Sequence, residues 1–325
     1  MRPWRAGGEK TNKGEVPMLK LAFLGMNEGN GHAFSWSAII NGRYDPEKMK
    51  KCGYPVIYEY LSAQPPGALG IPGVEVTHIW TQDPGDARRV AETTFIPHVL
   101  SRPEEAVGEV DAVVITTDIG STHLELARPF LERDIPVFID KPLTDNEEDL
   151  REFIRYFEDG KPLLSSSSMR YAKEIEELDR GKLGRVLFVS AMMTKSWERY
   201  GIHALEGLYM IMGGGMESVQ NLGTEDVNVV HIRYRDGRQA VVNVIYPSKI
   251  FGRYDIVGEK DSMSLTVSDT FYMFKRQLEA FVRFVRERNY PYPPDETVEL
   301  TRAVVAGILS KRRGGERVAL GEVAA

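Results

Sequence analysis

The stretch DAVVITTDIGSTHLELARPFLERDIPVFIDKPLT, Asp111–Thr144, decides the fold. Asp111 to Thr116 is a short β-branched apolar run, the pattern of a strand buried on both faces. From His123 to Arg133, Leu124, Ala127, Phe130 and Leu131 recur at helical spacing. Ile135 to Ile139 reads as a second buried strand, and so short a crossover makes the pair parallel and right-handed. Open parallel sheets bind ligands outside the carboxyl ends of their strands. Both strands end there in polar residues, Thr116-Thr117-Asp118 and Asp140-Lys141-Pro142. Pro142 lacks a ladder donor and keeps Lys141 extended, so the strand stops with a lysine at the rim. That lysine can hydrogen-bond a substrate hydroxyl or carbonyl. A solvated lysine at a strand end is the competing reading.

Two other segments carry chemistry. Leu19 to Leu24 reads as the first strand, Gly25-Met-Asn-Glu-Gly-Asn-Gly31 as a glycine turn, and His32 to Ile40 as a helix. This order places a pyrophosphate on a helix N-terminus. Asn27 and Asn30 stand where G-x-G-x-x-G has its second and third glycines, and Glu28 adds a negative charge. Asparagine tolerates left-handed backbone, so the turn can still form. Further on, WERYGIHALEGLYMIMGGG (197–215) aligns Ile202, Leu205, Leu208, Tyr209 and Met212 on one helix ended by glycines, with His203 in its first turn.

These motifs resemble the glucose-fructose oxidoreductase / inositol dehydrogenase / MocA family. Its hallmark is an acidic-Lys-Pro tripeptide closing a dinucleotide-binding domain, here Asp140-Lys141-Pro142. The run ending at His123 resembles the family's preceding cofactor loop, and the likeness extends over nearly the whole chain from Met18. The resemblance implies an α/β protein: a Rossmann domain over 18–144, then a domain over 145–325 with an open, mainly antiparallel sheet whose outer face joins a homo-oligomer. It implies NAD or NADP, held by Gly25, Asn27, Gly29, Asn30, Gly31, Thr81, Asp83, Thr116, Thr117, Asp118, His123 and Asp140. Lys141 would orient a substrate hydroxyl and stabilise the alkoxide, and the Gly-x-His histidine, His203, would exchange the proton.

Tyr171, Lys195, Arg199, Tyr200 and Glu206 are the implied substrate-side residues. The substrate would be a small molecule oxidised at a secondary alcohol: a sugar, polyol or sugar acid. Arg199 replaces an acid that commonly precedes the glycine of Gly-x-His, pointing to an anionic substrate or to altered chemistry. Thr81 stands where the ribose-binding acid usually ends the second strand. Asp83, two residues on, is a cap or a cofactor contact, so NAD and NADP both stay open. Asn27, Glu28, Asn30, Thr81 and Arg199 also suit a cofactor-binding sensor or scaffold without turnover. Reduction of a tetrapyrrole or dihydrodiol-like ring is a further alternative, since the family contains it.

With 325 residues the chain can bury two substantial cores. A net charge of −6 and the lack of any Lys/Arg block argue against binding nucleic acid. Cys52 is the one cysteine, which excludes an intrachain disulfide and a clustered-thiolate metal site and suits a reducing, cytoplasmic compartment. No apolar run reaches membrane-spanning length. Residues 1–17 lack the apolar core of a signal peptide and read as a flexible extension.

Asn41 to Gly73 is longer than the family's usual link to the second strand. Asp45-Pro46-Glu47 opens a short helix stopped at Gly53, and aromatics and prolines follow. This insertion reads as a packed surface excursion, or as a lid or oligomer contact near the cofactor site. Val74 to Trp80 is the second strand; helices are expected over 86–92 and 145–158. The second domain is expected to begin with a strand in LLSSSSMRY, a helix over 173–181 and a strand over 184–190. A hairpin turns at Asp236-Gly237, and strands near 254–257 and 262–267 follow. A core helix over 272–288, a last helix over 296–311 and a closing strand near 317–320 complete the chain.

Overall fold

The computed structural model describes residues 17–325, so the expected extension lies, except for Pro17, outside the described residues. Strands β1 (Leu19–Leu24), β2 (Val74–Trp80), β3 (His98–Val99), β4 (Ala112–Ile115), β5 (Val137–Asp140) and β6 (Leu163–Ser166) form one sheet in the order β3-β2-β1-β4-β5-β6. Every neighbouring pair is parallel. This is the doubly wound Rossmann order, with its reversal between β1 and β4. Helices α1 (His32–Asn41) and α4 (Pro84–Thr94) cover one face; α5 (His123–Leu131) and α6 (Glu147–Glu158) cover the other. The strands between them are apolar on both sides because both sides are roofed.

The boundary expected after residue 144 falls inside this sheet. Leu163 enters the core under α5 and α6, Leu164 enters the opposite core, and Ser166 pairs with Asp140. An LLSS run with one leucine for each face completes the sheet as its sixth strand instead of opening the second domain.

The insertion folds into α2 (Pro46–Lys50) and α3 (Pro55–Ser62). Asp45 caps α2, accepting from the N–H groups of Glu47 and Lys48 at 2.9 and 3.1 Å. The helix α3 was not expected; Pro55 starts it, and Ile57 and Leu61, one turn apart, are its buried pair.

Beyond β6, the expected helix over 173–181 divides into α7 (Lys173–Glu176) and α8 (Arg180–Leu183), with Asp179 accepting from Lys182 N to start the second. A seven-stranded sheet follows: β7 (Val186–Thr194), β8 (Met216–Asn221), β9 (Val227–Tyr234), β10 (Gln239–Ile245), β11 (Arg253–Gly258), β12 (Ser262–Thr266) and β13 (Val318–Ala319). Its order is β12-β11-β7-β10-β9-β8-β13, and only β7 and β10 run parallel. Strand β8 escaped the sequence reading because MESVQN lacks a clean apolar alternation. Helices α9 (Ile202–Met212) and α11 (Pro294–Arg312) pack on this sheet. Helix α10 (Thr270–Glu287) instead turns Phe274, Leu278, Phe281 and Val285 into the core of the first sheet. Among the described residues no helix is long and apolar enough to cross a membrane.

Candidate active site

Lys141 leaves the end of β5 and is almost fully buried. Its ammonium lies 3.2 Å from Asp118 Oδ2 and 3.5 Å from the Arg199 carbonyl, and 4.8 Å above the Tyr200 ring. An ammonium has three donors, so one remains for a ligand. Burial opposes the charge on Lys141, but Asp140 and Asp118 outweigh it and raise the pKa, keeping the side chain cationic. Burial likewise works against the Asp118 carboxylate. Lys141, Arg199 and Asn27 overcome it and hold Asp118 well below the usual carboxylate range.

His203 enters from the other domain, in the first turn of α9 after the π-helical turn Trp197–Gly201. Its Nδ1 is 2.6 Å from Ser167 Oγ, which leaves Nε2 for a ligand. Burial, then the charges of Lys141 and His32, push the His203 pKa well below the ordinary value. Both Lys141 and His203 line one cavity of about 760 Å³, together with Asp118, Lys195, Tyr200 and the Gly29–His32 end of the glycine turn. Lys195 Nζ is 2.5 Å from the Tyr200 hydroxyl and 3.5 Å from Gly29 O.

The other expected residues take different places. Gly25 has φ of +91°, and a Cβ there would lie 2.4 Å from Thr117 Cγ2, so the crossing from β1 past the β4 loop requires glycine. Thr116 donates its hydroxyl to Gly25 O, and Thr117 is buried beside it. His123 is fully buried, with ring nitrogens 3.1 Å from Leu143 O and 3.0 Å from Thr117 Oγ1; it ties the β4 loop to the end of β5. Asp140 accepts from Asn30 and from Lys141 N, and its Oδ2 is 2.6 Å from His32 Nδ1. Asp83 caps α4 through Gly85 N at 2.7 Å, and Thr81 donates to Asp83 O at 2.5 Å.

Three of the expected substrate residues lie off the cavity wall. Arg199 Nη2 sits on Asp118 Oδ1 at 2.6 Å and reaches Glu28 O at 3.4 Å, so this nitrogen bridges the β4 loop and the glycine turn. Tyr171 lines a separate groove with Arg170 and Tyr292. Glu206 is buried and accepts from Ser167 N at 3.0 Å and from Arg170 Nε at 2.7 Å. Burial raises the Glu206 pKa, with Arg170 pulling the other way. Arg170 also reaches Glu296 at 2.6 Å. Removing one partner of such a pair strands the other charge. Arg170→Ala is therefore expected to lower unfolding stability by about 3–5 kcal/mol, measured by urea denaturation. A loss below about 1 kcal/mol, the range of an exposed pair, would refute that reading.

Several residues at the site carried no signal in sequence. Ser167 is one serine of a run; His32 opens a helix; Gln82, whose Oε1 accepts from Met26 N at 3.0 Å, lies between Thr81 and Asp83, which drew the reading instead. The position of His32 directly after the glycine turn was the clue available.

A dinucleotide fits the turn. Asn27 points its carboxamide inward onto Asp118, and Asn30 directs its own to His32 N and Asp140. Neither crosses the open face at Gly29, where an added Cβ would meet only Arg199 Nη2, at 3.8 Å. The reversal between β1 and β4 lies beside that face.

Residues 57–167 match a family model described as "Oxidoreductase family, NAD-binding Rossmann fold", GFO_IDH_MocA; the match runs from α3 through β6 and leaves the glycine turn outside. No curated protein sequence matches the chain. Among solved structures, myo-inositol dehydrogenase from Lactobacillus casei with NAD(H) and myo-inositol is 15% identical, with a TM-score of 0.71 over 93% of this chain and 96% of its own. GenD2 from gentamicin A biosynthesis, solved with NAD, is 17% identical, with a TM-score of 0.70 over 96% and 99%. An oxidoreductase from Agrobacterium radiobacter with NAD+, L-tartaric acid and magnesium is 15% identical, with a TM-score of 0.71 over 94% and 99%. The match over residues 57–167 agrees with the resemblance read at Asp140-Lys141-Pro142, and the solved structures share the fold of nearly the whole chain: a Rossmann domain similar to NAD-binding oxidoreductases, joined to a second sheet.

Proposed function

We propose that the protein is a dehydrogenase acting on a secondary alcohol of a ring-shaped small molecule such as a sugar, polyol or sugar acid. The observation that carries this reading is the meeting of Lys141 and His203 on one cavity whose edge is the Gly29–His32 turn. A nicotinamide dinucleotide held at Gly25–Gly31 and the β4 loop would supply the hydride acceptor or donor. Lys141 would hold the reacting oxygen with its remaining donor and stabilise it as charge develops. His203 Nε2, neutral near pH 7, would take the hydroxyl proton, while Ser167 accepts from Nδ1–H and keeps Nε2 as the base.

The Asp118 contact on Arg199 Nη2 turns that side chain off the cavity lining and so favours a neutral over an acidic substrate. That same ion pair, beside the glycine turn, favours the second reading, a sensor that binds the cofactor without turnover. Exposed apolar residues of the second sheet, Val227, Val229, Val257 and Met263, support a homo-oligomer through its outer face, and the lone Cys52 thiol suits the cytoplasm.

Fluorescence titration with NADH and NADPH, followed by a sugar and polyol screen, tests the proposal. Thr81, at the end of β2, carries no charge, and Asp83 turns an oxygen to the start of α4, so repulsion of a 2′-phosphate from this strand end is expected to be weak. The Kd values are expected to agree within about tenfold, or about 1.4 kcal/mol. A preference of about a thousandfold for NADH would mean that another acid holds the ribose. Binding without oxidation of any secondary alcohol would favour the sensor.

A further inference from the structure

The lining of the cavity beside Lys141 and His203 is chemically mixed, and the insertion supplies much of its apolar part. Lys141, His203 and Lys195 are its cationic and proton-accepting groups. Val56, Ile57 and Tyr60 of α3 and Met273 and Phe274 of α10 are apolar or aromatic, with Glu59 of α3 and Thr270 of α10 beside them. The helix α3 is seated firmly there. A Cβ on Gly31 would lie 2.7 Å from both Ile57 and Tyr54, so the last glycine of the turn makes room for the insertion. Tyr60 donates to Ser35 of α1 and meets Phe274 edge-on at 6.2 Å, and Lys275 holds Ala68 O at 2.5 Å. At the rim Val56 is 58% exposed, an apolar side chain turned to the cavity mouth.

A bare polyol filling this space would press hydroxyls against Ile57, Met273 and Phe274, where they lose water without gaining partners. A ligand with one polar and one apolar end satisfies both walls. We propose that α3 is a specificity wall. It selects a ring alcohol that presents its reacting hydroxyl to Lys141 and an apolar, aromatic substituent to Val56, Ile57 and Tyr60. The assignment deepens the dehydrogenase reading and rests on it for the choice of reacting hydroxyl.

The test is isothermal titration of the full chain, with NADH present, using phenylcyclohexanol and cyclohexanediol. These share the ring and one hydroxyl and differ in phenyl against hydroxyl. Wild type is expected to bind the phenyl compound at least about tenfold more tightly. Val56→Asp, at an exposed position that leaves the core untouched, is expected to bring that ratio below about threefold without changing the thermal midpoint. Equal affinities, no binding of either compound, or a ratio that survives Val56→Asp would each overturn the wall. Selective binding with no NADH formed from NAD+ would support the wall while removing the dehydrogenase reading, so the two failures are separable.

Discussion

Lys141→Met is expected to lower kcat/KM for any accepted secondary alcohol by about 10²–10³-fold while leaving the NADH Kd within about threefold of wild type. Methionine is unbranched and close in length, so the packing under Tyr200 survives. What disappears is a cation placed against the reacting oxygen. Asp140 and Asp118 keep that cation charged despite burial, so its role is electrostatic and not that of a base. Asp118 retains Arg199 and Asn27 in the variant, so its carboxylate is not stranded. Steady-state kinetics beside a binding titration decide the matter. Equal kcat/KM in variant and wild type would sink the assignment.

His203→Gln is expected to cost about 10²–10⁴-fold in alcohol oxidation and to change the shape of the pH profile. In wild type the neutral imidazole is the base, and its pKa is depressed by burial, then by Lys141 and His32. Oxidation should therefore stay level through neutral pH and fall only on acidification below the ordinary histidine range, as Nε2 becomes protonated. Glutamine can hold the Ser167 contact but cannot accept a proton, so that acid limb should vanish. A limb centred on the unperturbed value, or one surviving in His203→Gln, would assign the proton to another group.

Much of the fold was legible because local pattern and tertiary need agreed. LKLAFL and VEVTHIW are strands with the boundaries read from sequence, since each is a short run rich in apolar and β-branched residues bracketed by turn residues. Asp236-Gly237 marked its hairpin for the same reason. Sequence reading failed where a residue serves a distant partner. LLSS is a strand of the first sheet because β5 offers an open edge, which its own composition does not state. At the site, Lys141 and His203, singled out from motif context, line one cavity. Arg199 lies off that lining because its direction depends on Asp118, eighty-one positions away. Glu206 and Tyr171 were drawn off by Arg170 and by a separate groove, and no spacing rule reports such partners.

The placement of α10 bears on how this protein could be cut or recombined. Phe274 and Phe281 interlock with Trp36 and Phe138 at ring separations of 5.8 and 5.5 Å, so a late helix finishes the first core. A fragment ended at Ser166 would leave those two rings facing water, an invitation to self-association. The two halves are thus not exchangeable cartridges. A chimera that borrows the nucleotide half of a relative must borrow its late helix as well, or redesign the seam between Trp36, Phe138 and Phe274.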